Sequence, residues 1–389
     1  MENKRRKITQ DLQWGNDHFF YKLNDMHLLE IIFSFLSQKE ILGLRILCKL
    51  FNEIFENTWR PKNIISFTKD ITDDILNYFS FLKKIDISFS QITDKGLSYL
   101  TGIHTINISS CHAITDKGIS YLKGVHTIYL YYCNQITNKG FSYLKGVHTI
   151  GLSSLNITHQ RILHLKGVHT IDLHESNIKD TQLRCLSGVN TIILSNCSKI
   201  TDEGLSHLKG VHNINLSCTR ITDKGLSYLK GVHTINLSCC HNITHKGLSY
   251  LKGVHTIILL DCTRISDKAI SYLQHANTID LRKCKITDIA LSYLTGIHTI
   301  DLSFCTQITD EGLSYLKGVQ KISLEHCSRI TDKGLSYLTG VYIINISNCY
   351  KITDKGVSYL KGVHSIDISK CIYITNIGLS YLEGAKIIK

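Results

Sequence analysis

The sequence predicts an α/β solenoid filling residues 62–389, and three observations predict it. An Ile-Thr-Asp triplet or a close variant recurs fifteen times, with its Ile at 71, 92, 114, 136, 157, 178, 200, 221, 243, 265, 286, 308, 330, 352 and 374, always 21 or 22 residues apart. A short alternating apolar stretch precedes each copy. A pair of apolar residues three apart follows it. Units this small cannot bury an apolar side alone, but stacked units share one continuous core.

One unit justifies each element in turn. In Val232-His-Thr-Ile-Asn-Leu237, Ile235 and Leu237 are two apart and share one face of a strand, with Asn236 on the other. Leu248 and Leu251 are three apart, which suits a turn of α- or 3₁₀-helix. An Asp such as Asp223 stands where it can cap that helix. The Gly of Leu-Lys-Gly suits the exit from it. The unit is therefore strand, bend, short helix and return.

This unit resembles the leucine-rich repeat of the cysteine-containing kind, Leu-x-x-Leu-x-Leu-x-x-Cys-x-x-Ile-Thr-Asp, in a shortened form. The resemblance implies a leucine-rich-repeat horseshoe of about 15 repeats, with parallel strands on the concave face and helices on the convex one.

Ten Cys stand three residues before the repeat Ile: Cys111, Cys133, Cys197, Cys218, Cys240, Cys262, Cys305, Cys327, Cys349 and Cys371. One rung per coil implies a column of small, buried, reduced thiols, as in the family. Disulfides would need suitable Cβ geometry and an oxidising compartment, and zinc would need four converging ligands where no Cys-x-x-Cys occurs. His before the strand (His126, His148, His233, His255, His364) and Tyr in Leu-Ser-Tyr-Leu (Tyr99, Tyr228, Tyr315) recur as ladders, whereas a catalytic group is usually unique. No catalytic constellation, cofactor loop or metal motif stands out, so neither an enzyme nor a small-molecule substrate is expected.

The net charge is +12, yet the Lys residues are dispersed along the coil and often sit beside an Asp. The strand positions facing outward are mostly neutral or acidic (Asn107, Asp172, Asn215, Asn236, Asp280, Asp301, Asn345, Asp367), which argues against a nucleic-acid partner. No apolar run is long enough to span a membrane, and no apolar stretch follows the basic start, so an intracellular protein of cytoplasm or nucleus is expected. The stop at Ala385-Lys-Ile-Ile-Lys389, where a next strand begins, predicts an open coil end prone to self-association or to a partner.

Residues 1–17 read as a basic flexible tail and 18–61 as a separate helical module. Ser37 and Glu40 form a capping box that starts a second helix. Both helices are apolar on two faces: Leu28, Leu29, Ile32, Phe33 and Leu36 against Ile31 and Phe35 in the first, and Ile41, Leu44, Leu47, Phe51 and Ile54 against Leu42, Ile46 and Leu50 in the second. Some 45 residues cannot bury so much surface internally, so the surplus should meet the solenoid or a partner. The segment resembles an F-box, most closely in Ile32–Leu36, in Ser37–Phe51 and in Trp59-Arg60. It departs at the opening, where the usual Leu-Pro is Leu23-Asn24. The resemblance implies a substrate receptor of an SCF-type ubiquitin ligase, docking a Skp1-like adaptor and cullin through Leu23, Asn24, Leu28, Ile32, Phe33, Phe35, Leu36, Ile41, Leu44 and Leu47. A scaffold or decoy without ubiquitylation would carry the same motifs. Few Pro, much Ile, Lys and Asn, and near-identical repeats would fit an amoeba-infecting giant DNA virus.

The concave face is monotonous Thr, Asn, Asp and Ser, so interruptions mark the expected target-binding surface. Tyr129, Tyr131, Tyr132, His174 and Glu175 form the preferred patch, and Ile258, Leu260, Arg282 and Glu325 a second one. Around the first, Ser154 and Glu175 read as replacing Cys, and Arg161 and Gln182 as replacing Gly.

Overall fold

A computed structural model describes residues 65–66, 71–80, 82–153 and 156–389. The chain divides into two compact units, Met1–Ile65 and Ser66–Lys389. The expected tail and the F-box-like segment, with Leu23 through Leu47, lie outside the described residues.

The second unit is the expected leucine-rich-repeat solenoid. Fifteen three-residue strands, from Lys84–Asp86 to Lys386–Ile388, pair in chain order and in parallel. The middle Ile of each strand sits opposite its neighbours, as Ile235 does with Ile214 and Ile257. That register buries Ile and leaves the residues either side of it on the open face. Coils of 21 and 22 residues keep the same register because the difference falls between strand and helix. Asn215 precedes the helix cap Thr222 by one residue fewer than Asn236 precedes Thr244.

Each coil contributes seven core rungs. In one coil these are Ile235, Leu237, Cys240, Ile243, Leu248, Leu251 and Val254, none more than 2% exposed. The helical part is a single α-turn, such as His245–Leu248, followed by a 3₁₀ turn, Ser249–Leu251. Gly253, at φ +86°, closes it as expected.

The Asp has a different role from the one expected. The cap of most helices is the Thr: Thr222 Oγ1 accepts from Lys224 N at 3.3 Å. Asp223 is the first helical residue and reaches into the next coil, where Thr244 donates to it from N at 2.8 Å and from Oγ1 at 2.6 Å. The same clamp joins Asp94 to Thr115, Asp288 to Thr309 and Asp354 to Thr375. It also bears on the Gly of Asp-Lys-Gly, which Ala290 replaces beside an intact clamp of Asp267 and Thr287. A Cβ on Gly247 would overlap Asp223 Oδ1, so the carboxylate of one coil occupies the space over the Gly of the next.

The cysteine column is counted from the strand rather than from the Ile. Ten thiols donate to the carbonyl just after the strand of the preceding coil at 3.0–3.2 Å: those of Cys111, Cys133, Cys197, Cys240, Cys262, Cys284, Cys305, Cys327, Cys349 and Cys371. Cys284 therefore belongs to the column, and Cys218 does not. In that shorter coil Thr219 fills the rung, bonded to the Leu216 carbonyl at 2.6 Å, and Cys218 is exposed. Burial raises the column thiols, Cys133, Cys284, Cys305 and Cys349 to about 12. All thirteen Cys among the described residues are free.

The His and Tyr ladders take shape along the edge of the coil. His104, His126, His148 and His169 stack with 4.4 Å between ring centroids, and His212, His233 and His255 with 4.6 Å. Lys209, Lys230 and Lys252 each lie over the Tyr of the next coil, at 5.4–5.7 Å from Tyr228, Tyr250 and Tyr272.

Candidate protein-binding face

The open face of the sheet carries three outward columns: the strand's first residue, its third, and the residue two further on. In most coils these are Thr, then Asn or Asp, then Ser. The second-column carboxylate or amide turns on its own coil, as when Asn236 Oδ1 accepts from the N and Oγ of Ser238. Such a surface is self-satisfied and offers a partner little to distinguish.

The face changes character over the strands Thr127–Tyr129, Thr149–Gly151 and Thr170–Asp172. Tyr131 lies across the middle strand, and its hydroxyl donates to Asp172 Oδ2 at 2.9 Å, two coils away. That path is open because residue 151 is Gly, where a Cβ would stand 2.6 Å from the Tyr131 ring. Tyr129 meets Tyr131 at 5.8 Å between centroids, and His174 meets it edge-on at 5.7 Å. Asp172 holds the group together: its Oδ1 accepts from His174 N at 3.0 Å and faces His174 Nδ1 at 2.9 Å. Burial first, then the Asp172 charge, raises the Tyr131 phenol, which stays a neutral donor. The structure thus brings together Tyr129, Tyr131 and His174 of the expected patch, and adds Asp172 and Gly151.

Tyr132 and Glu175 sit elsewhere, at the turn that ends the strand segment, with φ of 60° and 55°. Both are exposed, on the rim beside the face. Glu175 does not replace Cys: Ser176 fills that rung, buried, with Cys197 Sγ 3.7 Å from its hydroxyl. Ser154 lies outside the described residues.

Arg161 and Gln182 belong to the helical side, not to this face. Each follows a coil whose clamp Asp is missing, Asn138 before Arg161 and His159 before Gln182. With no carboxylate to clear, a side chain is admitted over that space. Arg161 donates to the Ile136 carbonyl at 2.8 Å, and Gln182 to that of Ile157 at 2.7 Å. Two of the apparent interruptions are therefore structural compensation.

The second patch is coherent in part. Ile258 is the third residue of its strand, and Leu260 lies two further on, beside Arg282 in the same column of the next coil. Arg282 is occupied: it pairs with Asp280 at 2.6 Å and approaches Asp301 at 3.6 Å. The hydrogen bond to Asp280 raises its pKa, with Asp280, Asp301 and Glu325 adding to the effect against burial. Beside it on the rim, Lys283 lies over the Phe304 ring at 5.6 Å, and Phe304 stacks on His326 at 4.6 Å. Among the described residues no group of His, Cys, Asp and Glu is placed to hold a metal ion.

The comparisons agree on the fold. A leucine-rich-repeat family matches residues 80–100, 103–123, 212–230 and 297–317. No curated protein matches the sequence. An internalin of Listeria monocytogenes superposes with a TM-score of 0.54 at 19% identity, over 76% of this chain and 88% of its own. A chain of the yeast Rad7–Elc1 complex does so with 0.51 at 13%, over 100% and 97%. A chain of the Drosophila Toll–Spatzle complex gives 0.51 at 14%, over 76% and 44%, so this chain spans less than half of that one. A chain of the TLR13–ssRNA13 complex gives 0.53 at 16%, over 79% and 54%.

Proposed function

We propose that this chain is a non-catalytic protein-binding receptor whose open sheet face captures a target around Tyr129, Tyr131, Asp172 and His174. The observation that carries the reading is the aromatic group itself. It is the one place on the described face where rings take positions of the Asn/Asp and Ser columns and together lie over three consecutive coils. Large, rigid, amphipathic side chains of this kind concentrate binding energy at protein interfaces. Asp86, Asp172, Asp280, Asp301 and Asp367 line the same face and disfavour a phosphate backbone, so a protein fits better than RNA, although one similar structure is of an RNA complex.

On this reading the F-box-like segment supplies the second half of the function. Leu28, Ile32, Phe33, Leu36, Ile41, Leu44 and Leu47 dock a Skp1-like adaptor, which links the target to a cullin of an SCF-type ubiquitin ligase. The chain contributes proximity rather than chemistry, raising the effective concentration of a target lysine near the conjugating enzyme. The support is the sequence resemblance, together with a similar structure whose complex joins Rad7 to Elc1. Among the described residues no helix is long and apolar enough to cross a membrane, and the ligase reading places the chain in cytoplasm or nucleus.

Co-expression with a Skp1-like adaptor tests this half. The full chain should elute with the adaptor, and residues 62–389 should elute alone while keeping their circular dichroism. Adaptor retained by residues 62–389 would overturn the docking assignment.

A further inference from the structure

We propose that Cys218 and Cys239 form a reversible thiol–disulfide site on the rim of the open sheet face. Asn215 is opposite Asn236 in the parallel register, and each Cys lies three residues beyond. The register persists into the turn, because Cys218 N donates to the Ser238 carbonyl and Cys239 N to that of Leu260, both at 2.8 Å. Both residues have φ +57°. Two residues of the same conformation on adjacent rungs have Cα atoms about 4.8 Å apart, inside the span a disulfide accepts.

Their surroundings differ from those of the column thiols. The ten column thiols are buried, with their hydrogens given to carbonyls. Cys218 is exposed, Cys239 half-buried, and the two thiols are close enough to perturb one another. Among the described turns of this kind, only here do consecutive coils both present Cys. Burial and the neighbouring Cys218 and Asp261 hold the Cys239 thiol up, while Lys283 draws it down. Cys239 therefore suits the resolving role, and the more exposed Cys218 is reached first.

The oxidant is a low-molecular-weight disulfide such as oxidised glutathione. The Cys218 thiolate attacks one glutathione sulfur, and the first glutathione thiolate leaves and takes up the proton given by Cys218. Cys239 loses its proton and attacks the Cys218 sulfur of the mixed disulfide, and the second glutathione leaves as its thiol. Two protein thiols are oxidised and one small disulfide is reduced to two thiols. Parallel Cβ atoms on adjacent rungs start about 1 Å further apart than a relaxed disulfide prefers, so the bond is strained and easily reduced, a switch rather than a staple. Closing it pulls on the Leu260 carbonyl that Cys239 N holds. This site does not depend on what the face binds.

The test equilibrates the full chain with a reduced and oxidised glutathione series, quenches with an alkylating agent and maps each Cys by peptide mass. Cys218 and Cys239 should lose alkylation together, yield a linked peptide and recover fully in reduced glutathione. C239S should instead accumulate a stable glutathione adduct at Cys218, and C218S should give no linked peptide. The half-buried Cys185 serves as the control and should appear in no linked peptide. A persistent glutathione adduct on wild-type Cys218 beside an alkylatable Cys239, or two free thiols throughout the series, overturns the proposal.

Discussion

Replacing Gly247 by Ala tests the inter-coil clamp, and its outcome depends on Asp223. The new Cβ would overlap Asp223 Oδ1 and stand 3.0 Å from Leu226 Cδ1, so the carboxylate must shift, as it does where Asp267 holds Thr287 beside Ala290. Removing the carboxylate gives up both bonds from Thr244. Each is a hydrogen bond to a charged group worth about 1.5 kcal/mol at the low end, so D223A alone should cost about 3 kcal/mol. G247A keeps the two bonds through a shift of the carboxylate and gains about 1 kcal/mol of helix propensity, so it should cost under about 1 kcal/mol. The double variant has no carboxylate left to shift and should cost about 2 kcal/mol, and its shortfall from additivity measures the strain of that shift. The chain already contains both pairings: His245 precedes Ala269, and Asp267 precedes Ala290 with its clamp intact. Urea unfolding followed by circular dichroism gives the coupling, with hydrogen exchange at Thr244 N as the local readout because a repeat array need not unfold in one step. Additive costs in the double variant would refute strain between the carboxylate and a Cβ at position 247.

Three further outcomes follow from the same packing. The column thiols Cys133, Cys284, Cys305 and Cys349 sit at about 12 when folded against roughly 8.5–9 when unfolded, so the stability they contribute is complete below about pH 9 and is lost as pH rises toward 12. Alkylation of these four should stay negligible in the native state at pH 8 and become complete in denaturant, and native labelling at the rate of a free thiol would contradict their burial. Desolvation first, then the neighbouring rings, lowers His148 and His233, so the ladder's contribution is present above the unfolded His pKa and lost as pH falls below it. The melting temperature should therefore drop between pH 7 and pH 5, and H148N, which copies Asn190 of the same column, should flatten that drop; an unchanged slope would count against stacking as its cause.

Most of the fold was legible because the repeat is short and its apolar spacing is unambiguous. Ile235 and Leu237 fix a strand face, Leu248 and Leu251 a helical turn, and the 21–22-residue step stacks one on the next. What was not legible lies between coils. Asp223 reads as a cap when its own coil is considered alone, and only stacking brings Thr244 to its carboxylate. Counting back from Ile221 puts Cys218 in the column, because the missing residue of a short coil falls in that interval and shifts the count by one. The same count misplaces Glu175. At the candidate site, Tyr129, Tyr131 and His174 stood out by type. Gly151 carried a readable signal, since Gly inside a strand marks a close approach, but the Tyr131 ring that makes the approach comes from another coil. The bond from Tyr131 to Asp172 spans 41 residues and is set by coil curvature and rotamer, which no local pattern encodes.

Target capture by face variants tests the central claim most directly. The full chain is used as bait by proximity labelling in adaptor-expressing cells, with captured proteins quantified for wild type, Y131S and the double variant Y129S/Y131S, and with N236A on the monotonous part of the face as control. Removing a buried aromatic anchor at an interface costs upward of about 2 kcal/mol, so capture of the specific target should fall roughly thirtyfold or more for Y131S. Adaptor recovery should be unchanged in every variant, and N236A should match wild type. Target capture undiminished in Y129S/Y131S, with the adaptor still bound, would contradict the account and move the search to the Ile258, Leu260 and Arg282 surface.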